Sequence, residues 1–230
     1  NFLNMIDYRP LYRACLVNLL EWVSREQEPP ASQFPRKADG TRLSRRKALE
    51  QLSEIPGFNL PDETAMPVMR PLDLGADAKK GIPRLPAILG LHKYPDWVSA
   101  LDMDGNEIGG IAMPDIRCPI ATHSGFNPRH PQTGGAGQIL EYYGSTVPFP
   151  RDTIEKSSKA DSRPAISDRY KDKDDYLTQV RAAVEELVIS GYVLARDIDL
   201  CRDIAAQRYE TVCQREGQSD SLPRSTGESD

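Results

Sequence analysis

The stretch 97-WVSALDMDGNEIGGIAMP-114 contains the clearest chain reversal in the sequence. Apolar and polar residues alternate around Asp104-Gly105, and such a dipeptide between alternating segments is a strong hairpin signal. The pattern predicts two strands, over residues 96–102 and 107–113, joined by a tight turn.

The acidic residues of this turn are also similar to the start of a calcium-binding loop. Asp102, Asp104 and Asn106 have the spacing of the first three ligands of such a loop. The loop needs glycine at its sixth position, where this chain has Glu107. Asp115, further along the chain, does not match the glutamate ligand that ends such a loop. We therefore favour the turn over an ion site.

Helical periodicity marks the beginning of the chain. Asp7 is placed to cap a helix whose first turn tolerates Pro10. The prolines of 28-EPPASQFP-35 end that helix. Its apolar residues recur at helical spacing and predict one inward face, made of Tyr12, Cys15, Leu16, Leu19, Leu20 and Val23.

Periodicity is equally clear near the C-terminus, where Gly191 is placed to end one helix and Asp197 to cap another. Shorter elements are predicted between the two ends of the chain: helices over 43–55 and 164–170, and strands within 116–124 and 138–150. The inward residues of the two C-terminal helices are expected to be Leu177, Val180, Val184, Leu187 and Val188 in the first, and Leu200, Cys201, Ile204 and Ala205 in the second.

The fold class expected from these elements is α+β, with helices, a β-hairpin and long irregular segments. Residues 1–27 form the first helical region, and residues 28–95 form a proline-rich segment that we expect to wrap around other structure. Residues 96–214 hold the hairpin and the C-terminal helices. Residues 215–230 are polar and predicted to be disordered.

Charge and hydropathy exclude several classes of protein. The 230 residues carry 34 acidic and 29 basic side chains, a formal net charge of −5 that argues against a nucleic-acid or membrane-surface role. No apolar run reaches the roughly 20 residues of a membrane-spanning helix. The chain begins with Asn1, as expected for a processed product or a piece of a longer polypeptide, and its compartment stays open.

The four cysteines, Cys15, Cys118, Cys201 and Cys213, are scattered without a CxxC pair. Cys15 and Cys201 fall on apolar helical faces, which predicts buried free thiols. A disulfide is the alternative, so the redox environment also stays open.

Few residues have a pattern that suggests catalysis or metal binding. Cys118, His123 and His130 match no common zinc spacing. No G-x-S-x-G motif occurs, and at Ser124 the place of the first glycine is taken by Thr122. Because neighbouring residues of a strand point to opposite faces, His123 is not expected to serve Ser124 as a base. We therefore predict no catalytic, metal-binding or cofactor-binding residue in this chain, and no cofactor.

Three further groups of residues have ordinary explanations. Gly134, Gly135 and Gly137 have no predicted strand before them and no lysine or helix motif after them, as a phosphate-binding loop would. They are therefore expected to form a flexible loop. Glu185 and Glu186 lie beside Arg181 on a helix and are expected to face solvent. A basic run predicts a solvated face, with contact to an acidic partner as the alternative; it comprises Arg36, Lys37, Arg42, Arg45, Arg46 and Lys47.

Taken together, six blocks give the chain a family resemblance. Their order resembles the C-terminal part of the large bacterial proteins called alpha/beta hydrolase domain-containing proteins. The blocks span most of positions 7–197: 7-DYRPLYRACLVNLLEWV-23, 29-PPASQFPRKADGT-41, 101-LDMDGNEIGGIAMPDIRCPIATHSGFN-127, 144-GSTVPFPRDT-153, 163-RPAISDRY-170 and 176-YLTQVRAAVEELVISGYVLARD-197.

The resemblance implies the C-terminal portion of an α/β-hydrolase-type protein, a serine hydrolase acting on ester or related acyl bonds. In such proteins the nucleophile, the acid and the histidine are expected upstream of the DYRP helix, so none is carried onto this chain. His123 and Phe126 stand where other aromatic residues are expected, which sets His123 apart from the family histidine. Residues 1–27 would then be the C-terminal helix of the hydrolase core, with an apolar stripe that is exposed when the central sheet is absent.

Two functions follow as hypotheses. In the first, the chain is an inactive scaffold whose partners are the remainder of the parent hydrolase polypeptide and, through it, a small-molecule substrate, with no nucleic acid and no membrane span. In the second, it is a non-catalytic accessory or binding domain that uses the hairpin and the C-terminal helices as an interaction surface. A reading frame that continues upstream of Asn1 into a G-x-S-x-G motif would favour the first, and a start codon at that point the second.

Overall fold

The computed structural model of the protein describes residues 2–66, 68–140 and 142–213. The described chain is α+β, as predicted. Its α-helices are α1 (Arg9–Arg25), α2 (Arg45–Ser53), α3 (Pro114–Arg117), α4 (Thr153–Lys159), α5 (Ile166–Arg169), α6 (Lys173–Ile189) and α7 (Ile198–Cys213). Its strands are β1 (Phe2–Leu3), β2 (Arg42–Ser44), β3 (Leu72–Asp73), β4 (Ile88–Leu89), β5 (Trp97–Ser99), β6 (Ala121–Ser124) and β7 (Ser145–Pro148).

The main hydrophobic core lies around α6, which packs against α7 and α3. Asp172 caps α6 by accepting a hydrogen bond from the backbone N–H of Asp175. The predicted inward stripe is confirmed for Leu177, Val180, Val184 and Leu187, which are buried, while Val188 is partly buried. Burying each such side chain stabilises the fold by about 1.5–3 kcal/mol.

Helix α7 differs from the prediction at its beginning. Asp197 ends a 3-10 turn, Ala195–Asp197, that runs directly into the helix, and its buried carboxylate pairs with Arg13 of α1 at 2.9 Å. Cys201 and Ala205 are buried as expected. The prediction that Leu200 faces inward is wrong, because this side chain is 37 % exposed and lies on the solvent side of the helix.

A three-stranded antiparallel sheet, in the order β1-β7-β6, packs beside this helical core. His123 of β6 is opposite Thr146 of β7, and Ser124 is opposite Ser145. Strand β1 was not predicted, because two residues are too short for a periodicity to appear. All four residues of β6, the edge strand of this sheet, are buried.

The predicted hairpin is correct at its turn and wrong in its pairing. Strand β5 pairs with β2, and Leu43 lies opposite Val98, 55 residues later in the chain. The second arm forms only the bridge Leu101–Glu107, and Pro114 then starts α3, so no strand extends over 107–113. Gly109 donates its N–H to Ser99 Oγ at 2.8 Å, so a side chain and not a backbone carbonyl receives the next amide of this arm.

Helix α1 forms where the periodicity predicts it, but a different face is buried. Its N-cap is Tyr8, and Asp7 instead accepts from the N–H and side chain of Arg9. Pro10 and Ala14 are buried on the side of the helix that carries Arg13 and Asn18, which bond to the C-terminal region at Asp197 and at the Gly191 carbonyl. The predicted inward stripe is exposed, and Cys15, expected to be buried, is exposed with it.

The proline-rich segment contains more structure than expected. Helix α2, predicted over 43–55, packs Leu52 into a second small core with Ile55, Phe58 and Val147, which lie outside the helix. Strands β3 and β4 form a two-stranded ladder. The wrapping of this segment around other polypeptide stays a prediction.

Three smaller predictions have mixed outcomes. The helix predicted over 164–170 is α5, and α4 was not predicted. Residues 215–230, predicted to be disordered, lie outside the described residues. Within the described part of the chain, no helix combines the length and the apolar character needed to cross a membrane.

Candidate functional site

The turn at Asp102–Asn106 is built around the carboxylate of Asp102. Its Oδ1 accepts hydrogen bonds from the backbone N–H groups of Asp104 (2.9 Å) and Asn106 (2.8 Å), and Gly105 adopts φ +78°. Burial raises the pKa of Asp102, and these amide bonds oppose that shift. The turn is therefore confirmed, and its first carboxylate is directed at the turn's own amides.

The same turn is anchored to strand β6. Asn106 is fully buried; its Nδ2 donates to the carbonyl of Ala121 at 3.1 Å, and its Oδ1 accepts from the N–H of His123 at 2.9 Å. A single side chain thus takes the place of a neighbouring strand along this edge of the sheet. Asp104 adds an ion pair with Arg169 of α5. The turn is therefore a structural anchor, and its partners lie 15 to 65 residues away.

His123 and Ser124 follow each other on β6 and make separate contacts. His123 Nδ1 lies 3.0 Å from Thr146 Oγ1, whereas Ser124 Oγ lies 2.7 Å from Ser145 Oγ and donates to the Phe126 carbonyl at 2.8 Å. Each side chain therefore contacts its own cross-strand neighbour, and no hydrogen bond joins the two within the described residues. Burial, reinforced by the positive charge of Arg208, lowers the pKa of His123 to about 3, so the ring is neutral at physiological pH.

An open pocket of about 250 Å³ lies beside β6. Its wall comes from the segment before α1, from the second arm of the turn, and from α3 and β6. The lining residues include Asn4, Ile6, Tyr8, Glu107, Ile111, Met113, Ile116, His123 and Ser124.

Charged groups act on the residues that line the pocket. Arg208 of α7 pairs with Asp115 of α3, and burial raises the pKa of that carboxyl group against the effect of the arginine. The carboxylate of Glu107 lies at the pocket wall, where desolvation raises its pKa although much of the side chain is exposed. Desolvation, followed by the charges of Glu107 and Asp115, likewise raises the pKa of Tyr8.

A second buried polar centre forms around Arg163, which sequence reasoning did not single out. Its guanidinium and the carboxylate of Asp161 are 1 % and 2 % exposed and form a bidentate pair at 2.6–2.9 Å. The remaining donors reach Thr122 Oγ1 (2.8 Å) and the carbonyls of Val147 (3.1 Å) and Pro148 (3.2 Å). Nothing in the local sequence pattern marks an arginine for burial, since its partners come from three separate segments.

The residues considered as metal ligands lie in different settings. Cys118 and His123 are buried, and His130 is exposed at the start of a 3-10 turn. Among the described residues, no group of three or more His, Cys, Asp or Glu side chains could hold a metal ion. The four cysteines are free thiols.

The charged side chains of the basic run are largely paired within the chain. Arg36, Arg45 and Arg46 pair with Asp39 (2.9 Å), Asp96 (3.1 Å) and Glu50 (3.6 Å). Arg42 lies over the ring of Trp97, 4.7 Å from its centroid. This arrangement favours the solvated face over a site for an acidic partner.

Helix α6 and the glycine-rich segment complete the account of the predicted residues. Glu185 pairs with Arg181 at 3.0 Å on the solvent side, as expected. Glu186 also pairs with Arg117 of α3, at 2.7 Å, and therefore joins two helices. Gly134, Gly135 and Gly137 all have positive φ, as loop glycines do.

Comparison with known proteins identifies one family. The family model described as "Alpha/beta hydrolase domain" matches residues 2–202, which is most of the chain. Neither the curated proteins nor the solved structures contain a match. The order of the sequence blocks, the α+β architecture and the extent of this match lead to one conclusion: the chain belongs to the alpha/beta hydrolase domain family.

Proposed function

We propose that this chain is a scaffold part of an α/β-fold serine hydrolase, whose nucleophile, acid and catalytic histidine lie on polypeptide outside the chain. The exposed apolar face of α1 carries the proposal. Five of its large side chains are more than half exposed: Tyr12 (68 %), Leu16 (68 %), Leu19 (51 %), Leu20 (61 %) and Val23 (76 %).

Such a face favours a covering surface. Each large apolar side chain gains about 1.5–3 kcal/mol when it is buried, and contiguous exposed apolar patches mark interaction sites. In an α/β hydrolase the natural cover is the central sheet, on which helices pack with their apolar stripes. Burial of this face would attach the chain to the catalytic body as part of one domain.

The segment between α2 and β5 supports the same interpretation. Its apolar side chains are largely exposed, as at Leu85 (83 %) and Leu91 (98 %), although the chain there forms turns and the β3–β4 ladder. We expect this segment to lie across the same catalytic body.

The polar centre of the chain is poorly arranged for nucleophilic catalysis. A serine hydrolase needs its base within hydrogen-bond reach of the nucleophile. Here Ser124 bonds to Ser145, and His123 bonds to Thr146. A histidine whose pKa lies near 3 is also a weak base at neutral pH.

The second hypothesis, a separate binding domain, has less support. It relies on the hairpin and the C-terminal helices as an interaction surface, but in the hairpin Asp104, Gly105 and Asn106 are buried against this chain's own β6 and α2. Of the turn residues, Met103 is the most exposed, at 92 %. One exposed methionine presents much less apolar area than the face of α1.

Turnover by the purified chain tests the catalytic half of the proposal. We expect p-nitrophenyl acetate and p-nitrophenyl butyrate to be hydrolysed at the background rate, and Ser124→Ala and His123→Ala to leave that rate unchanged. Turnover above background that either substitution removes would contradict the proposal.

Cys15 provides a test of whether the catalytic body covers the apolar face of α1, because its exposed thiol lies in the middle of that face. We expect a maleimide to label Cys15 rapidly in this chain, and much more slowly in a longer gene product that also carries the catalytic segment. Unfolding both proteins in urea should equalise the rates, which controls for the reagent. Equal labelling of both native proteins would refute the docking of α1.

A further inference from the structure

The pocket beside β6 has room for a small molecule with a short apolar part. Its volume of about 250 Å³ is somewhat below the roughly 300–1,000 Å³ of sites for drug-sized ligands. Four apolar side chains, Ile6, Ile111, Met113 and Ile116, form part of its wall. A ligand of this size can therefore bury a short alkyl chain against that wall.

One carboxylate gives the pocket its charge. Glu107 is the only formally charged residue among the described residues that line the pocket. His123, which also lines it, is neutral because burial lowers its pKa to about 3. The charge of Arg208 acts on His123, but this guanidinium is paired with Asp115. The unbalanced charge at the pocket is therefore negative.

The carboxylate of Glu107 lacks a partner that would compensate for lost water. Desolvation raises the pKa of Asp102, Glu107 and Asp115. Backbone N–H groups oppose that shift at Asp102, and Arg208 opposes it at Asp115. Nothing opposes it at Glu107, whose carboxylate has no hydrogen bond or ion pair within the described part of the chain. A positively charged ligand would supply the partner that this carboxylate lacks.

Tyr8 places an aromatic ring near this carboxylate. It lines the same pocket, and desolvation, followed by the charge of Glu107, raises the pKa of its phenol. Aromatic rings attract cations through their negative faces, and an ammonium N–H donates a charge-assisted hydrogen bond to a carboxylate. An ammonium group is therefore favoured here on two grounds, whereas an anion would be repelled by Glu107.

We propose that this pocket binds a short primary alkylammonium ion. Its ammonium group donates a hydrogen bond to the carboxylate of Glu107 and lies against the ring of Tyr8, and its alkyl chain packs against Ile111 and Met113. The inference does not rest on the proposed function. Binding is measured on this chain alone, so a failure to bind would leave the absence of turnover, and the docking of α1, as they are.

The test ligand is n-butylammonium, titrated into the full chain with ¹³C-labelled methionine methyl groups. Met113 is 2 % exposed and lines the pocket, whereas Met69 and Met103 are exposed and lie outside it. At constant ionic strength, which removes general salt effects, we expect a saturable NMR shift at the Met113 methyl group and none at Met69 or Met103. No shift at Met113, or equal shifts at all three methionines, would overturn the inference.

Two ligands of the same chain length separate the charge from the alkyl chain. Uncharged n-butanol and anionic butyrate should each bind at least about tenfold more weakly than n-butylammonium, because neither forms the charged hydrogen bond to Glu107. Binding of either compound as tightly as n-butylammonium would overturn the inference.

Glu107→Gln keeps the shape of the side chain and removes its charge. Loss of the charged hydrogen bond predicts at least about tenfold weaker binding of n-butylammonium. The matched control is Glu28→Gln, at an exposed glutamate outside the pocket, which should bind like the unmodified chain. The Met113 signal without ligand checks that the pocket is intact in each variant. Equal affinities of the two variants would overturn the inference.

A second pair of variants tests the aromatic ring. Tyr8→Phe keeps the ring, and Tyr8→Leu replaces it with an aliphatic side chain. Loss of the cation–π attraction at a partly exposed site predicts that Tyr8→Leu binds n-butylammonium about two- to fivefold more weakly than Tyr8→Phe. Equal binding by these two variants would contradict the placement of the ammonium group against Tyr8.

Discussion

The buried guanidinium of Arg163 allows a stability prediction worked out from individual hydrogen bonds. All five of its N–H donors are used: two by Asp161, one by each of the carbonyls of Val147 and Pro148, and one by Thr122. The side chain therefore ties β6 and β7 to the segment before α5. The informative substitution is Arg163→Lys, which keeps the charge and removes the planar fork.

The expected loss follows from counting donors. Lysine has three N–H donors where arginine has five, so at least two of the five side-chain hydrogen bonds are lost. At about 1 kcal/mol for each hydrogen bond, Arg163→Lys should lower the free energy of unfolding by about 2 kcal/mol. Arg163→Ala leaves the carboxylate of Asp161 buried and unpaired and should cost about 3–5 kcal/mol.

Urea unfolding measures these differences from the transition midpoint and slope. The matched control is Arg181→Lys, at an ion pair with Glu185 in which both side chains are about half exposed. Exposed pairs contribute little, so this control should change the free energy of unfolding by less than about 0.5 kcal/mol. A loss at Arg163→Lys no larger than that of the control would refute the count of buried donors.

The pH dependence gives a second measurement on the same pair. Burial alone would raise the pKa of Asp161, but the hydrogen bonds and charge of Arg163 outweigh it and hold the pKa below its ordinary value. The pair therefore stabilises the fold above the carboxyl pKa of the unfolded chain, about 3.9, and this contribution is lost as the pH falls through the lower folded pKa. The difference in the free energy of unfolding between Arg163→Lys and the unmodified chain should therefore become smaller as the pH falls through that acidic range.

Two further predictions concern the turn and the buried histidine. Gly105→Ala should lower the free energy of unfolding by about 2 kcal/mol or more, since φ is +78° and a Cβ would lie 2.6 Å from Ile55 Cδ1; Gly40→Ala, at φ +73° with open space around it, should cost only about 1 kcal/mol in the same urea assay. His123 has a folded pKa of about 3 against an ordinary value of about 6.5, so the unfolded chain binds the extra proton first and stability should fall as the pH drops between these values. His123→Gln should flatten that slope in unfolding curves at several pH values, and an unchanged slope would rule out the histidine as its source.

Local patterns predicted the elements whose cause is local. The apolar stripe of α6 and the terminating Gly191 appear in the structure where the sequence places them, and the Asp104-Gly105 step does form the turn. These features depend on neighbours within four residues, through helical spacing or through the positive φ that glycine tolerates.

Such local patterns did not predict which distant segments pair with each other. β5 pairs with β2 instead of the second arm of its own turn, and Asn106 occupies the edge of β6. The alternation of apolar and polar residues indicates that one face of a strand is buried, but it does not indicate which strand lies beside it.

The sequence by itself determined the longer helices of this protein, the position of its turn and its resemblance to a hydrolase family, because these depend on spacing along the chain. The tertiary structure decided which side of α1 is buried, since Arg13 and Asn18 find their partners only in the C-terminal region. It also decided the burial of Arg163 and placed His123 at the wall of a pocket. A buried charge or hydrogen-bond donor is stable only where it has partners. Here the partners come from separate segments, which meet only in the folded chain.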